Sequence, residues 1–159
     1  ERLIYERLLY QVQTKRVDVQ PLLSPRVVEF PPEEAALLRE NHAVISGFGL
    51  QIEEFGPTSF RVQGMPVLLG SADPGEVLAG LVEDLQDGDI PSGEGFVNGV
   101  LASIACQSAV KANQKMANDQ IQGLMEDLYR EEVPPTCPHG RPIRVRFNRA
   151  DLERMFHRR

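Results

Sequence analysis

A thiol and an imidazole two residues apart, Cys137 and His139, sit in the proline-bounded stretch Thr136-Cys137-Pro138-His139-Gly140-Arg141-Pro142. Deprotonated Cys and His heads suit Zn²⁺ or a related divalent ion. Two such ligands do not close a tetrahedral site, so other parts of the chain must deliver the rest. That requirement constrains the fold more than any other feature. The only other cysteine is Cys106, in a different predicted element. We therefore expect Cys106, Cys137, His139 and a carboxylate near the start to meet at one metal centre. A buried cysteine and a surface histidine in an ordinary turn would show the same Cys-x-His spacing, and the spacing does not separate the two.

The 159 residues suit one domain, with room for two lobes. With 42% hydrophobic and 25% charged residues the composition is that of a globular protein. A net charge of −6 excludes a chain built as a whole to neutralise phosphates. The charge is uneven, however. Arg141, Arg144, Arg146, Arg149, Arg154, Arg158 and Arg159 crowd the last stretch, either as a basic face for DNA or as a solvated edge. Two cysteines far apart, one beside His139, fit a reduced intracellular protein better than a disulfide scaffold. No apolar run is long enough to span a membrane and no signal peptide opens the chain, which begins as though inside a helix of something longer.

Glu1 to Gln13 reads as that helix, with Leu3, Ile4, Leu8, Leu9 and Val12 on a broad apolar side. Glu1 and Glu6 lie about 140° apart around it, too far to share one ligand sphere easily. Arg16 to Val19 is a short extended piece. Pro21 and Pro25 keep the next stretch extended, so that Gln20, Leu22 and Leu23 either dock into a partner's apolar groove or tuck into their own core. A strand follows over Arg26–Phe30, then a helix opened by Pro31-Pro32-Glu33-Glu34 and closed by Gly47 and Gly49. Gly47-Phe48-Gly49 is not a dinucleotide loop, because no third glycine follows and the glycines end a helix. Leu50–Phe55 and Ser59–Met65 predict a hairpin.

Asp73-Pro74-Gly75-Glu76 is a helix start, Val77, Leu78, Leu81, Val82 and Leu85 its buried stripe, and Gly88 its stop. After a polar connection over 87–95, Phe96–Asn113 predicts a long helix with Cys106 on a flank of small residues. Asn118 is expected to cap the next helix, on which Ile121, Leu124, Met125 and Leu128 recur at i, i+3, i+4 and i+7. Ile143, Val145 and Phe147 alternate with Arg144 and Arg146, predicting a strand with one buried face. Asn148 caps a last short helix. The order is that of an α+β fold, without repeats.

In Ala105 to Asn113, Cys137 to Pro142 and Met155 to Arg158 the chain resembles the C-terminal domain of the MutL family of DNA mismatch-repair proteins. Ala105 to Asn113 (A-C-Q-S-A-V-K-A-N) is similar to the family's A-C-x-x-S/A-[VI]-K-A motif. Cys137-Pro138-His139-Gly140-Arg141-Pro142 is its C-P-H-G-R-P motif as it stands, and Met155-Phe156-His157-Arg158 is similar to its F-x-R ending. The resemblance runs along nearly the whole chain. Glu1 and Glu6 match the second half of the family's D-Q-H-A-x-x-E-x-x-x-x-E motif, and the D-Q-H-A half would precede Glu1.

The resemblance implies that Glu1, Cys106, Cys137 and His139 are metal ligands, Zn²⁺ on the sulfur and imidazole set with Mn²⁺ or Mg²⁺ as a harder second ion. It places Glu1, Glu6 and Arg141 in the catalytic neighbourhood, Arg141 either contacting phosphate or bracing its loop. It implies two lobes: residues 1–20 and 96–159 for dimerisation and the metal site, and 21–95 as an inserted regulatory lobe. Gln20, Leu22, Leu23 and Pro25 are similar to the family's Q-x-[LM]-[ILV]-x-P ligand of the replication sliding clamp. The implied function is a metal-dependent nicking endonuclease and homodimerisation domain, tethered to double-stranded DNA by the clamp, working with the mismatch-recognition protein MutS in the bacterial cytoplasm at the nucleoid. The alternative is a non-catalytic dimerisation and clamp-docking platform with a structural zinc. Without the D-Q-H-A half, the chain as given is expected to lack part of the catalytic set.

Overall fold

The computed structural model describes residues 1–87, 95–111 and 113–157. Helix α1 (Arg2–Gln13) buries Leu3, Tyr5 and Leu8 and packs against α4 (Phe96–Ser108). On α4, Val100, Leu101, Ile104 and Ala105 are buried, and its other neighbour is α3 (Pro74–Gln86). The expected cap forms at α3: the Asp73 carboxylate accepts the Gly75 and Glu76 amides at 2.8 and 3.0 Å. Val77, Leu78, Leu81 and Val82 are fully buried or nearly so.

Helix α2 (Pro32–Gly47) starts on proline with Glu33 and Glu34 in its first turn, where the dipole favours carboxylates. Gly49 then turns the chain at φ +84°, and a Cβ there would stand 2.6 Å from Val17 Cγ1. Glycine is the residue that this turn admits.

Three strands, β1 (Val19–Glu29), β2 (Gln51–Glu54) and β3 (Ser59–Pro66), form an antiparallel sheet in the order β1-β3-β2. Central β3 alternates, with Phe60 and Val62 fully buried. A 3₁₀ turn, Val67–Leu69, leads out of it. Tyr5 and Leu8 of α1, Leu38 and Ile45 of α2, Phe60 and Val62 of β3, Leu78 and Leu81 of α3, and Val100 and Ile104 of α4 belong to one apolar cluster. The fold is α+β, as expected. Among the described residues no helix is long and apolar enough to cross a membrane.

The structure departs from the expected elements at four places. The extended pieces around Gln20 and the strand at Arg26 are one strand, β1, which tolerates Pro21 and Pro25 because it lies at the sheet edge. Pro21 faces Gly64 while Arg26 faces Val62, so residues 22–25 bulge out opposite Gln63. Helix α4 stops at Ser108 instead of Asn113. Ala109 is extended (ψ 154°), and the Cys106 carbonyl is taken by the Ala109 amide at 3.2 Å and the Lys111 ammonium at 2.7 Å. Helix α5 (Asn118–Arg130) begins on Asn118, so Ala117 holds the cap position, and Gln120 Oε1 accepts the Ala117 amide at 3.0 Å.

The fourth departure is the predicted strand over Ile143–Phe147. It forms no ladder, and Ile143, Val145 and Phe147 are exposed. A strand needs a partner edge, and none among the described residues pairs with it. The last helix, α6 (Arg149–Met155), is capped by Asn148 as expected, through a 2.9 Å bond from the Asp151 amide. The Gly88 stop, most of the 87–95 connection, Ala112 of the Cys106 motif, Arg158 and Arg159 lie outside the described residues.

Candidate metal centre

The Cys-Pro-His loop is closed by its own backbone. The Cys137 amide donates to the Arg141 carbonyl at 2.7 Å, and the Gly140 amide to the Cys137 carbonyl at 2.9 Å. Thr136 and Pro142 form an isolated β-bridge at the neck. Gly140 sits at φ +84°, the left-handed region that glycine enters without penalty. This knuckle buries Cys137 and aims the Arg141 amide at its Sγ, at 3.3 Å. His139, two residues on, points out of the same turn and is exposed.

Glu1 occupies the cap position of α1, where its carbonyl accepts the Tyr5 amide at 2.9 Å. Its carboxylate reaches the knuckle, with Oε1 2.8 Å from His139 Nδ1. One donor atom each from Glu1, Cys137 and His139 lies within 4.8 Å of the other two. Four-coordinate zinc with ligands at ~2.0–2.3 Å spaces its donors about 3.3–3.8 Å apart, the scale on which these three groups stand. One thiolate, one imidazole and one carboxylate are donors that zinc accepts together, and they fit such an ion. Cys137 is on the buried side and His139 on the wet side, which leaves the centre open to solvent in one direction.

Cys106 stands in the last turn of α4, half-buried, outside the group of mutually close donors. Burial pushes its thiol up, and the nearby negative Glu1 carboxylate adds to the shift. The expected four ligands are thus three donors together and one neighbour. Glu6 is turned into an ion pair with Arg2 one helical turn back and stays out of the trio. Arg141 braces the loop with both its backbone groups, while its side chain is exposed. On β1, Gln20 and Pro25 are exposed and Leu23 is wholly so, whereas Leu22 is half-buried and packs against the core.

Sequence reasoning missed the latch that carries α5. Arg7 on α1 donates to Asp127 at 2.8 Å and pairs with Glu131, both on α5 or its C-terminal edge. The Arg7 guanidinium holds the Asp127 carboxyl below the usual carboxylate range. These partners are 120 and 124 residues apart, so no local spacing could announce them.

An α+β domain whose first helix meets a Cys-Pro-His knuckle through a carboxylate is the class that fold and site define. The chain belongs to the family described as the MutL C terminal dimerisation domain, whose model matches residues 1–116. It is 35% identical over 158 residues to the DNA mismatch repair protein MutL of Caldanaerobacter subterraneus subsp. tengcongensis, covering 99% of this chain and 26% of that protein. It is 31% identical over 160 residues to that of Brucella anthropi (100% and 26%) and 35% identical over 159 residues to that of Geotalea daltonii (99% and 27%). The chain thus spans about a quarter of the length of these relatives.

Proposed function

We propose that this chain is the homodimerising, metal-dependent nicking-endonuclease domain of a MutL-type mismatch-repair protein. The observation that carries the reading is the convergence of Glu1, Cys137 and His139 from opposite ends of the sequence. Zn²⁺ on this trio, with Cys106 closing in as the fourth ligand and Mn²⁺ or Mg²⁺ as a second ion, would supply Lewis acidity toward a phosphodiester of double-stranded DNA. The protein's own part is positional. The knuckle keeps Cys137 dry, the Glu1 carboxylate stands beside the exposed imidazole of His139, and Arg141 stands at the rim.

Residues 1–20 and 96–159 form the dimerising lobe in this reading, and 21–95 the regulatory one. The exposed apolar face of α5, Ile121, Leu124 and Met125, supports a second copy as its cover, since an obligate dimer typically buries more than about 2,000 Å². The bulge carrying Leu23, with Gln20 exposed beside it, is the clamp ligand, and tethering raises the local DNA concentration for an acidic domain. MutS is the upstream partner, in the cytoplasm at the nucleoid. The test is metal-stimulated nicking of supercoiled plasmid by the full-length parent and its His139→Ala variant. Loss of nicking with dimerisation intact is the expected result.

A second reading, a non-catalytic platform with a structural zinc, is favoured by the self-closed loop and buried Cys137. Zinc bound at one per chain without nicking by the parent would select it.

A further inference from the structure

Between Val133 and Ala150 the chain has no carboxylate side chain and carries Arg141, Arg144, Arg146 and Arg149, although the whole chain is at −6. Arg149 is paired with Glu153. Among the described residues, Arg144 and Arg146 have neither an ion-pair nor a side-chain hydrogen-bond partner. Both line one open hollow of about 570 Å³ with Tyr129, Pro135 and Val145. Tyr129 is two-thirds exposed. Pro135 is two residues from Cys137, and its carbonyl holds the Ile143 amide at 2.9 Å, so the hollow adjoins the metal knuckle.

Two guanidiniums suit the paired oxygens of a phosphodiester better than a single ammonium would. An exposed ring beside them offers a face to a sugar or an unpaired base. The hollow's open form suits a polymer that passes through it. We propose that the Tyr129–Arg144–Arg146 hollow is a subsite that seats the DNA backbone next to the metal centre. This rests on the DNA-directed reading above and adds the residues that hold the strand. An acidic face of a second copy is the competing occupant.

The experiment is fluorescence anisotropy of a labelled 20-base-pair duplex titrated with the protein at several salt concentrations, without added divalent ions. Nicking plays no part in the readout, so a failure of the nuclease reading leaves this measurement standing. Arg144→Ala with Arg146→Ala should weaken binding roughly tenfold or more and flatten the slope of log K against log salt by about 1.8, two phosphate contacts at ~0.9 each. Tyr129→Ala should weaken binding without changing the slope. Arg149→Ala, which removes one arginine outside the hollow, should leave the slope within about half a contact of the parent. All four side chains are exposed, so circular dichroism should report an intact fold. The proposal is overturned if the double variant keeps the parent's affinity and slope, if the parent binds no duplex, or if light scattering shows the double variant losing a dimer that the parent forms.

Discussion

Helices α3 and α5 are each thirteen residues long, and each carries apolar residues at i, i+3, i+4 and i+7. On α3 these are Leu78, Leu81, Val82 and Leu85, and the first three are essentially inaccessible. On α5 they are Ile121, Leu124, Met125 and Leu128, none of them buried. Their neighbours make the difference. The sheet, α2 and α4 surround α3, whereas α5 is held to α1 through charged groups, Arg7 with Asp127 and Glu131. The contrast extends to the two regions. Residues 1–111 share one core, while 113–157 bury only Val133 and Cys137. An amphipathic stripe says that a face seeks cover, not that its own chain supplies it.

The sharpest way to break this comparison is a matched pair of truncations. Leu81→Ala should cost about 2–5 kcal/mol in urea unfolding, for the lost burial and the cavity left behind. Leu124→Ala in the monomeric chain should cost well under ~1 kcal/mol. Equal costs would mean that α5 is as integrated as α3.

The Glu1–Cys137–His139 cluster spans the seam, with Glu1 on the first region and Cys137 and His139 on the second. Cys137→Ser should lower zinc affinity by about a hundredfold or more in chelator competition. Zinc should also slow amide exchange in the 133–142 loop of the parent protein and not in the variant. Exchange unaffected by zinc would show that the ion does not join the regions.

The caps give a smaller effect in the same direction. Asp73→Ala removes both acceptor bonds at the start of α3 and should cost about 1 kcal/mol. Gln120→Ala, which loses only a half-cap on α5, should cost a few tenths.

The smallest effect is confined to the latch. The Asp127 carboxyl sits below its ordinary value because of Arg7. Its contribution to docking α5 is therefore complete above the unfolded carboxylate pKa near ~4 and fades as pH falls through the depressed value. Amide exchange on α5 should rise across that acid range in the parent. In Arg7→Ala it should already be raised at neutral pH and change little with acid.

Local chemistry was readable wherever a residue acts on its immediate neighbours. Asp73-Pro74 starts α3, Asn148 caps α6, Gly49 turns out of α2, and the alternation of Phe60 and Val62 marks an inward strand face. Ligand chemistry singled out Cys137, His139 and a carboxylate near the start, and the structure brings Glu1, Cys137 and His139 together. Ile143–Phe147 shows where this stops. Its alternation is that of a strand, but a ladder needs a second edge, and pattern alone cannot supply one. The end of α4 at Ser108 was likewise not legible: Ala109 is extended there and the Lys111 ammonium reaches back to the Cys106 carbonyl.

By itself, then, the sequence determined the α+β class, the starts of α3 and α6 and which residue types could serve as metal donors, since capping, turn geometry and ligand chemistry act over a few residues. Only the tertiary structure decided that Glu1 joins Cys137 and His139 while Cys106 stands beside them and Glu6 turns to Arg2. It also decided that one amphipathic helix is buried and its equal in length and spacing is not. The reason is common to all of these: burial and convergence depend on which surfaces meet across more than a hundred residues of chain, and no local pattern carries that information.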